Sequence, residues 1–160
     1  MRVFPWLAAA AIAGSAVLVP TSSWAADTPP PIEEDYAYPG ADQILAQHGL
    51  KLFKGDGHIL FVTSHKYGET QCAPGELQVE KVLDVDPFGV YYCFKTTGAK
   101  GWLTLEVQGT FGVRGGTKET QATATLPAGT KKFDIPPNVF VPIDPGTGSD
   151  TPQAVLVELR

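Results

Sequence analysis

A chain of 160 residues with 43% hydrophobic content has room for one ordinary globular domain and excludes a second of usual size. Its 17 acidic residues against 12 basic ones, a formal net charge of -5, exclude the clustered cationic surface that nucleic acid or an anionic membrane recruits. The 17 glycines and 14 prolines lie between short apolar runs, the composition of a sheet protein with many turns.

The first segment sets the expected compartment. Met1-Arg2 precedes an apolar run over residues 3–19, then Pro20, a polar Thr21-Ser22-Ser23 and Trp24-Ala25-Ala26. Ser23 and Ala25 are the small residues that a signal peptidase needs for cleavage after Ala25, so residues 1–25 read as a secretory signal peptide. The run is short for a membrane span and contains Pro5. Cleavage removes Arg2, Trp6 and Trp24, which leaves Trp102 as the sole tryptophan of a secreted, extracellular product with no membrane association.

Residues 26–40, rich in proline and acid, read as a flexible arm whose Tyr36 and Tyr38 are semi-exposed. Residues 41–160 form the expected domain. It opens on a short helix over 41–48, with Ile44, Leu45 and His48 on one side and Gly49 placed to end it. Residues 50–54 and 58–64 read as strands of a first hairpin joined through Gly55-Asp56-Gly57. Residues 76–85 alternate with Leu77, Val79, Leu83 and Val85 inward, Asp86-Pro87-Phe88-Gly89 turns the chain with Pro87 second, and 90–96 follow as a strand.

The stretch from Gly98 to Gly116 reads as paired strands between glycine clusters, with Leu103, Leu105 and Val107 on one face and Trp102, Thr104 and Glu106 on the other. In 117–126, Thr120, Ala122, Ala124 and Leu126 alternate with polar residues. Pro136-Pro137 splits 131–135 from 138–143, the mark of an edge or of a crossing between sheets, and Val155, Val157 and Leu159 define a closing strand. The whole is an all-β fold, an antiparallel β-sandwich of about eight or nine strands with one short N-terminal helix.

Cys72 and Cys93 are the only cysteines, and in an exported chain an even count reads first as a disulfide. No catalytic constellation is legible: there is no G-x-S-x-G elbow, and Ser64 and His65, as strand neighbours, point to opposite faces. Neither a metal motif nor a cofactor motif is present. Asp144-Pro-Gly-Thr-Gly-Ser-Asp150 offers oxygen ligands but lacks the spacing and closing Glu of an EF-hand loop, and reads as a plain loop.

Two groups of residues suggest binding. Trp102, Tyr91 and Phe88 provide rings on which a sugar could stack, although alternation admits only one of Tyr91 and Tyr92. Arg114, in Gly-Val-Arg-Gly-Gly near a hairpin end, has the chemistry that a trypsin-like specificity pocket accepts. The expectation is therefore a non-enzymatic binding or surface-associated module for an extracellular ligand, polysaccharide or protein. The alternatives are a secreted hydrolase whose site assembles only in space, or a protease inhibitor using the Arg114 turn.

Pro39-Gly40-Ala41-Asp42-Gln43-Ile44-Leu45, Gly55-Asp56-Gly57-His58-Ile59, Cys93-Phe94-Lys95-Thr96-Thr97-Gly98, and Gly101-Trp102-Leu103-Thr104-Leu105-Glu106-Val107 with Phe111-Gly112-Val113 resemble a group of small secreted proteins of actinobacteria. The likeness spans most of the chain after the signal. It implies export and a β-rich domain and supplies no catalytic residues to carry over.

Overall fold

The computed structural model describes residues 36–146 and 150–160, so the expected signal peptide and the arm up to residue 35 lie outside the described residues. Helix α1 (Ala41–His48) precedes strands β1 (Lys51–Gly55), β2 (Ile59–Lys66), β3 (Leu77–Val82), β4 (Gly89–Thr96) and β5 (Leu103–Gln108). Strands β6 (Thr110–Arg114), β7 (Thr120–Leu126), β8 (Gly129–Ile135), β9 (Phe140–Pro142) and β10 (Val155–Leu159) complete the fold, ten strands among the described residues rather than eight or nine. They form two antiparallel sheets, β1-β5-β10-β7-β8 and β2-β4-β3-β6-β9, the expected sandwich.

The alternating positions build its interior. Leu103, Leu105 and Val107 of β5, Ala122 and Ala124 of β7 and Leu156 and Leu159 of β10 meet Leu77, Val79, Tyr92, Phe94 and Val113 from the second sheet. Each large side chain so buried contributes about 2 kcal/mol of transfer free energy. In β10 the inward residues are Leu156 and Leu159, not the Val155-Val157-Leu159 alternation, because a bulge between Leu156 and Glu158 shifts the pleat by one residue.

Two expected hairpins are absent. The Gly55-Asp56-Gly57 turn joins β1 to β2, yet β1 pairs with β5 and β2 with β4. Likewise Gly109, at φ 75°, turns β5 into β6 across the sandwich, since β5 pairs with β1 and β10 while β6 pairs with β3 and β9. A tight glycine turn suits a corner between sheets as well as a hairpin, and here the flanking strands take their partners from different sheets. Pro136-Pro137 does mark a crossing, from β8 to β9.

Two further expectations fail where strands and faces end early. Strand β3 stops at Val82, leaving Val85 69% exposed in the following turn, where Phe88 N–H donates to Val85 O and Pro87 occupies the third position. In α1, Leu45 is exposed while Ala41 and Ile44 pack on the core. The helix ends as expected, with Gly49 left-handed and its N–H donating to Leu45 O.

Tyr38 is a core residue rather than a semi-exposed one. Its N–H donates to Phe53 O, and its hydroxyl oxygen accepts the Phe61 N–H at 2.7 Å. Because β4 occupies the other side of β2, that bond covers an outward-facing amide on a free sheet edge. Beside it His48 Nδ1 lies 2.8 Å from Ser64 Oγ, its ring meets Phe61 edge-on, and Tyr92 Oη donates to the His48 carbonyl. Helix α1 thereby closes the open side between β1 and β2.

Cys72 and Cys93 form the expected disulfide, which pins the loop before β3 onto the outer face of β4. Replacing both cysteines by alanine is expected to cost about 3 kcal/mol, the loop-closure value for a bridge of this span, read as a lowered urea midpoint with retained β-sheet circular dichroism.

Candidate functional site

Three corners between the sheets gather at one end of the sandwich: residues 56–58 after β1, 97–102 after β4 and 115–119 after β6. With the ends of β8 and β10 they enclose a cleft of about 750 Å³ whose walls include Asp56, His58, Trp102, Lys118, Asp134 and Arg160. This is the size and position at which sandwich folds build ligand sites, on loops held by a rigid scaffold.

Asp56 organises the first two corners. Its Oδ1 accepts the N–H groups of His58 and Trp102, each at 3.1 Å, while its own N–H donates to Trp102 O. An aspartate two residues before the amide it caps is a local turn device, and here it also fastens the start of β5 to the β1–β2 corner.

His58 explains the glycines of the facing loop. Its Nδ1 is 3.3 Å from Thr97 Oγ1, and its carbonyl accepts the Thr97 N–H. A β-carbon on Gly98 would lie 2.9 Å from His58 Nδ1, and one on Gly101 only 2.7 Å from His58 Cβ. Gly98 also has φ 68°, a conformation that side chains resist. The pair therefore lets Ala99 and Lys100 cross the histidine and form the cleft rim.

On the other wall, Gln121 Nε2 donates to Asp134 Oδ1, and the Gln121 backbone exchanges both bonds with Arg160. The Arg160 guanidinium pairs with Glu158 at 2.8 Å, and that contact pushes its pKa further up. Lys100, Lys118 and Glu119 are exposed at the rim.

The aromatic residues singled out in the sequence do not share a platform. Trp102 lies in the cleft wall with Tyr36 tilted against it, ring centroids 5.6 Å apart. Tyr91 lies on the outer face of the second sheet, stacked on Tyr67 at 4.8 Å. The Tyr67 ring covers Gly89 and its hydroxyl donates to Glu80; burial first, then that bond and the carboxylate charge, hold its pKa well above the ordinary tyrosine value. Phe88 is exposed in its turn.

Arg114 ends β6 rather than capping a hairpin. Its guanidinium donates to Gln71 Oε1, to the Cys72 carbonyl and to Gln78 Oε1, at 3.0–3.1 Å, so it braces the disulfide loop. Gln78, 2% exposed, also accepts the Cys72 N–H. The Cys72, Glu76 and Cys93 side chains converge, but both sulfurs are spent on the disulfide.

Asp144 likewise has an internal role. Its Oδ1 accepts the Gly146 N–H, and its Oδ2 accepts those of Gln153 and Ala154. Burial acts to raise its pKa, but the three amide donors outweigh it and hold the carboxyl below its usual value.

His58, Lys118, Glu119, Gln121 and Asp134 are cleft residues that the sequence did not mark. Their only local signals are the Gly-Asp-Gly and Gly-Ala-Lys-Gly turns, which do not reveal that these corners meet. No family model matches the chain, and no curated protein matches it as a relative.

Two outcomes follow. Gly101→Ala should destabilise the domain by about 1–3 kcal/mol and change Trp102 emission, because the new methyl forces the loop off His58; an unchanged urea midpoint and spectrum would contradict this packing. Because the folded Asp144 pKa is depressed, its contribution is full above the unfolded value, about pH 4, and disappears as pH falls through the folded value. Asp144→Asn should therefore be less stable than the parent at pH 7 and approach it in acid, as measured by denaturation at stepped pH.

Proposed function

We propose that the protein is a secreted, non-enzymatic carbohydrate-binding module that takes an extracellular polysaccharide or cell-wall glycan in the end cleft. The carrying observation is the placement of Trp102, the one tryptophan of the described residues, in a cleft lined by both apolar and polar groups, two of whose corners are tied together through Asp56. An indole face offers the apolar surface on which the C–H face of a pyranose packs, and the surrounding amide, ammonium and carboxylate groups match its hydroxyls. Export is supported by the leader-like sequence of residues 1–25 and by the Cys72–Cys93 disulfide, which persists in oxidising compartments. No helix among the described residues is long and apolar enough to cross a membrane.

The experiment is retention of the exported protein on insoluble polysaccharides and isolated cell wall, beside Trp102→Ala and Tyr91→Ala variants. Trp102→Ala should lose at least about 10-fold in affinity, the cost of one aromatic stacking surface, while Tyr91→Ala retains binding. Retention of the Trp102 variant at parental strength would remove the cleft from the function.

A further inference from the structure

Resting on the carbohydrate reading, we infer that the glycan is neutral, and that Lys100, Lys118 and Glu119 read its hydroxyl groups while Trp102 stacks on a ring. Among the side chains lining the cleft, Lys100, Lys118 and Arg160 stand against Asp56, Glu119 and Asp134, three charges of each sign, and Arg160 is itself paired with Glu158. The full sequence carries a formal net charge of -5. A uronate or phosphate group therefore gains no net attraction from the cleft and meets repulsion from the rest of the molecule. A hydroxyl both donates and accepts, and it uses fixed groups of either sign through charge-assisted hydrogen bonds.

The internal bonds separate residues that shape the cleft from residues free to read a ligand. Asp56 holds two backbone amides, Asp134 holds Gln121, and Arg160 holds Glu158. The side chains of Lys100, Lys118 and Glu119 make no hydrogen bond or ion pair among the described residues, and all three residues are exposed at the cleft rim. A ligand can engage them without breaking a bond of the fold. Two ammonium groups supply donors and one carboxylate supplies acceptors, and the opposed signs disfavour an anionic competitor at the Glu119 side.

Affinity electrophoresis separates the outcomes. The exported protein is run against dextran, mannan, arabinan and β-glucan, and against polygalacturonate and teichoic acid, at about 50 and about 500 mM salt. At least one neutral chain should retard the protein about 10-fold more strongly than either anionic chain, with less than about a twofold change between the salts. The Lys100→Gln and Lys118→Gln double variant should weaken that retardation about 10-fold while keeping the parental urea midpoint. An anionic chain bound best, with retardation falling as salt rises, overturns the neutral-ligand inference and leaves the carbohydrate reading standing. Full retardation of the lysine double variant removes those residues from recognition and also overturns it. Failure of every chain to retard the protein overturns the carbohydrate reading itself.

Discussion

The apolar layer between the two sheets is the constraint on which everything else depends. Neither sheet has a stable existence with Leu103, Leu105, Phe94 and Val79 facing water, and each supplies the other's covering. The chain meets that demand by crossing repeatedly: among the strands of the described residues, six of the nine successive connections pass from one sheet to the other and three stay within a sheet. A fold made this way has many corners, and corners at one end must lie close together. The end cleft is thus a geometric consequence of the core, formed where three of these crossings converge.

Corners are also where backbone groups lose sheet partners, and this molecule satisfies them with a few side chains. Asp56 takes the amides of the first and second cleft corners, and Asp144 takes three amides around the β9–β10 connection. Tyr38 covers an edge amide of β2, and Gln78 with Arg114 anchors the disulfide loop. Several residues that look like ligands or catalytic groups in a sequence are spent in this way. A buried polar group without a partner costs more than a made bond returns, so internal use takes precedence.

The charged residues of the cleft fall into two groups in this respect. Asp56 and His58 tie the first two corners together and Asp134 ties β8 to Gln121 of β7, whereas the Lys100, Lys118 and Glu119 side chains carry charge with no internal partner among the described residues. Under the proposed carbohydrate reading, internally bonded corners carrying unengaged charged groups and one indole would form a preorganised recognition surface. Such a surface loses little conformational entropy on binding beyond that of its lysine chains.

The alternation of Leu103-Leu105-Val107 and of Ala122-Ala124 was legible residue by residue, because a half-buried strand imposes a period of two wherever it pairs. The helix end at Gly49 and the disulfide were legible too, since left-handed backbone and paired thiols are local or compositional facts. Pairing was not legible: Gly55-Asp56-Gly57 and Gly109 can close a hairpin or turn a corner, and the choice belongs to the burial of strands far away in the chain. For the same reason the sequence grouped Trp102 with Tyr91 and left out His58, Lys118 and Asp134. Sequence alone determined an all-β, disulfide-linked sandwich. Only the tertiary structure decided which corners meet and which charged groups remain free, because proximity across sheets arises from long-range packing that no local pattern encodes.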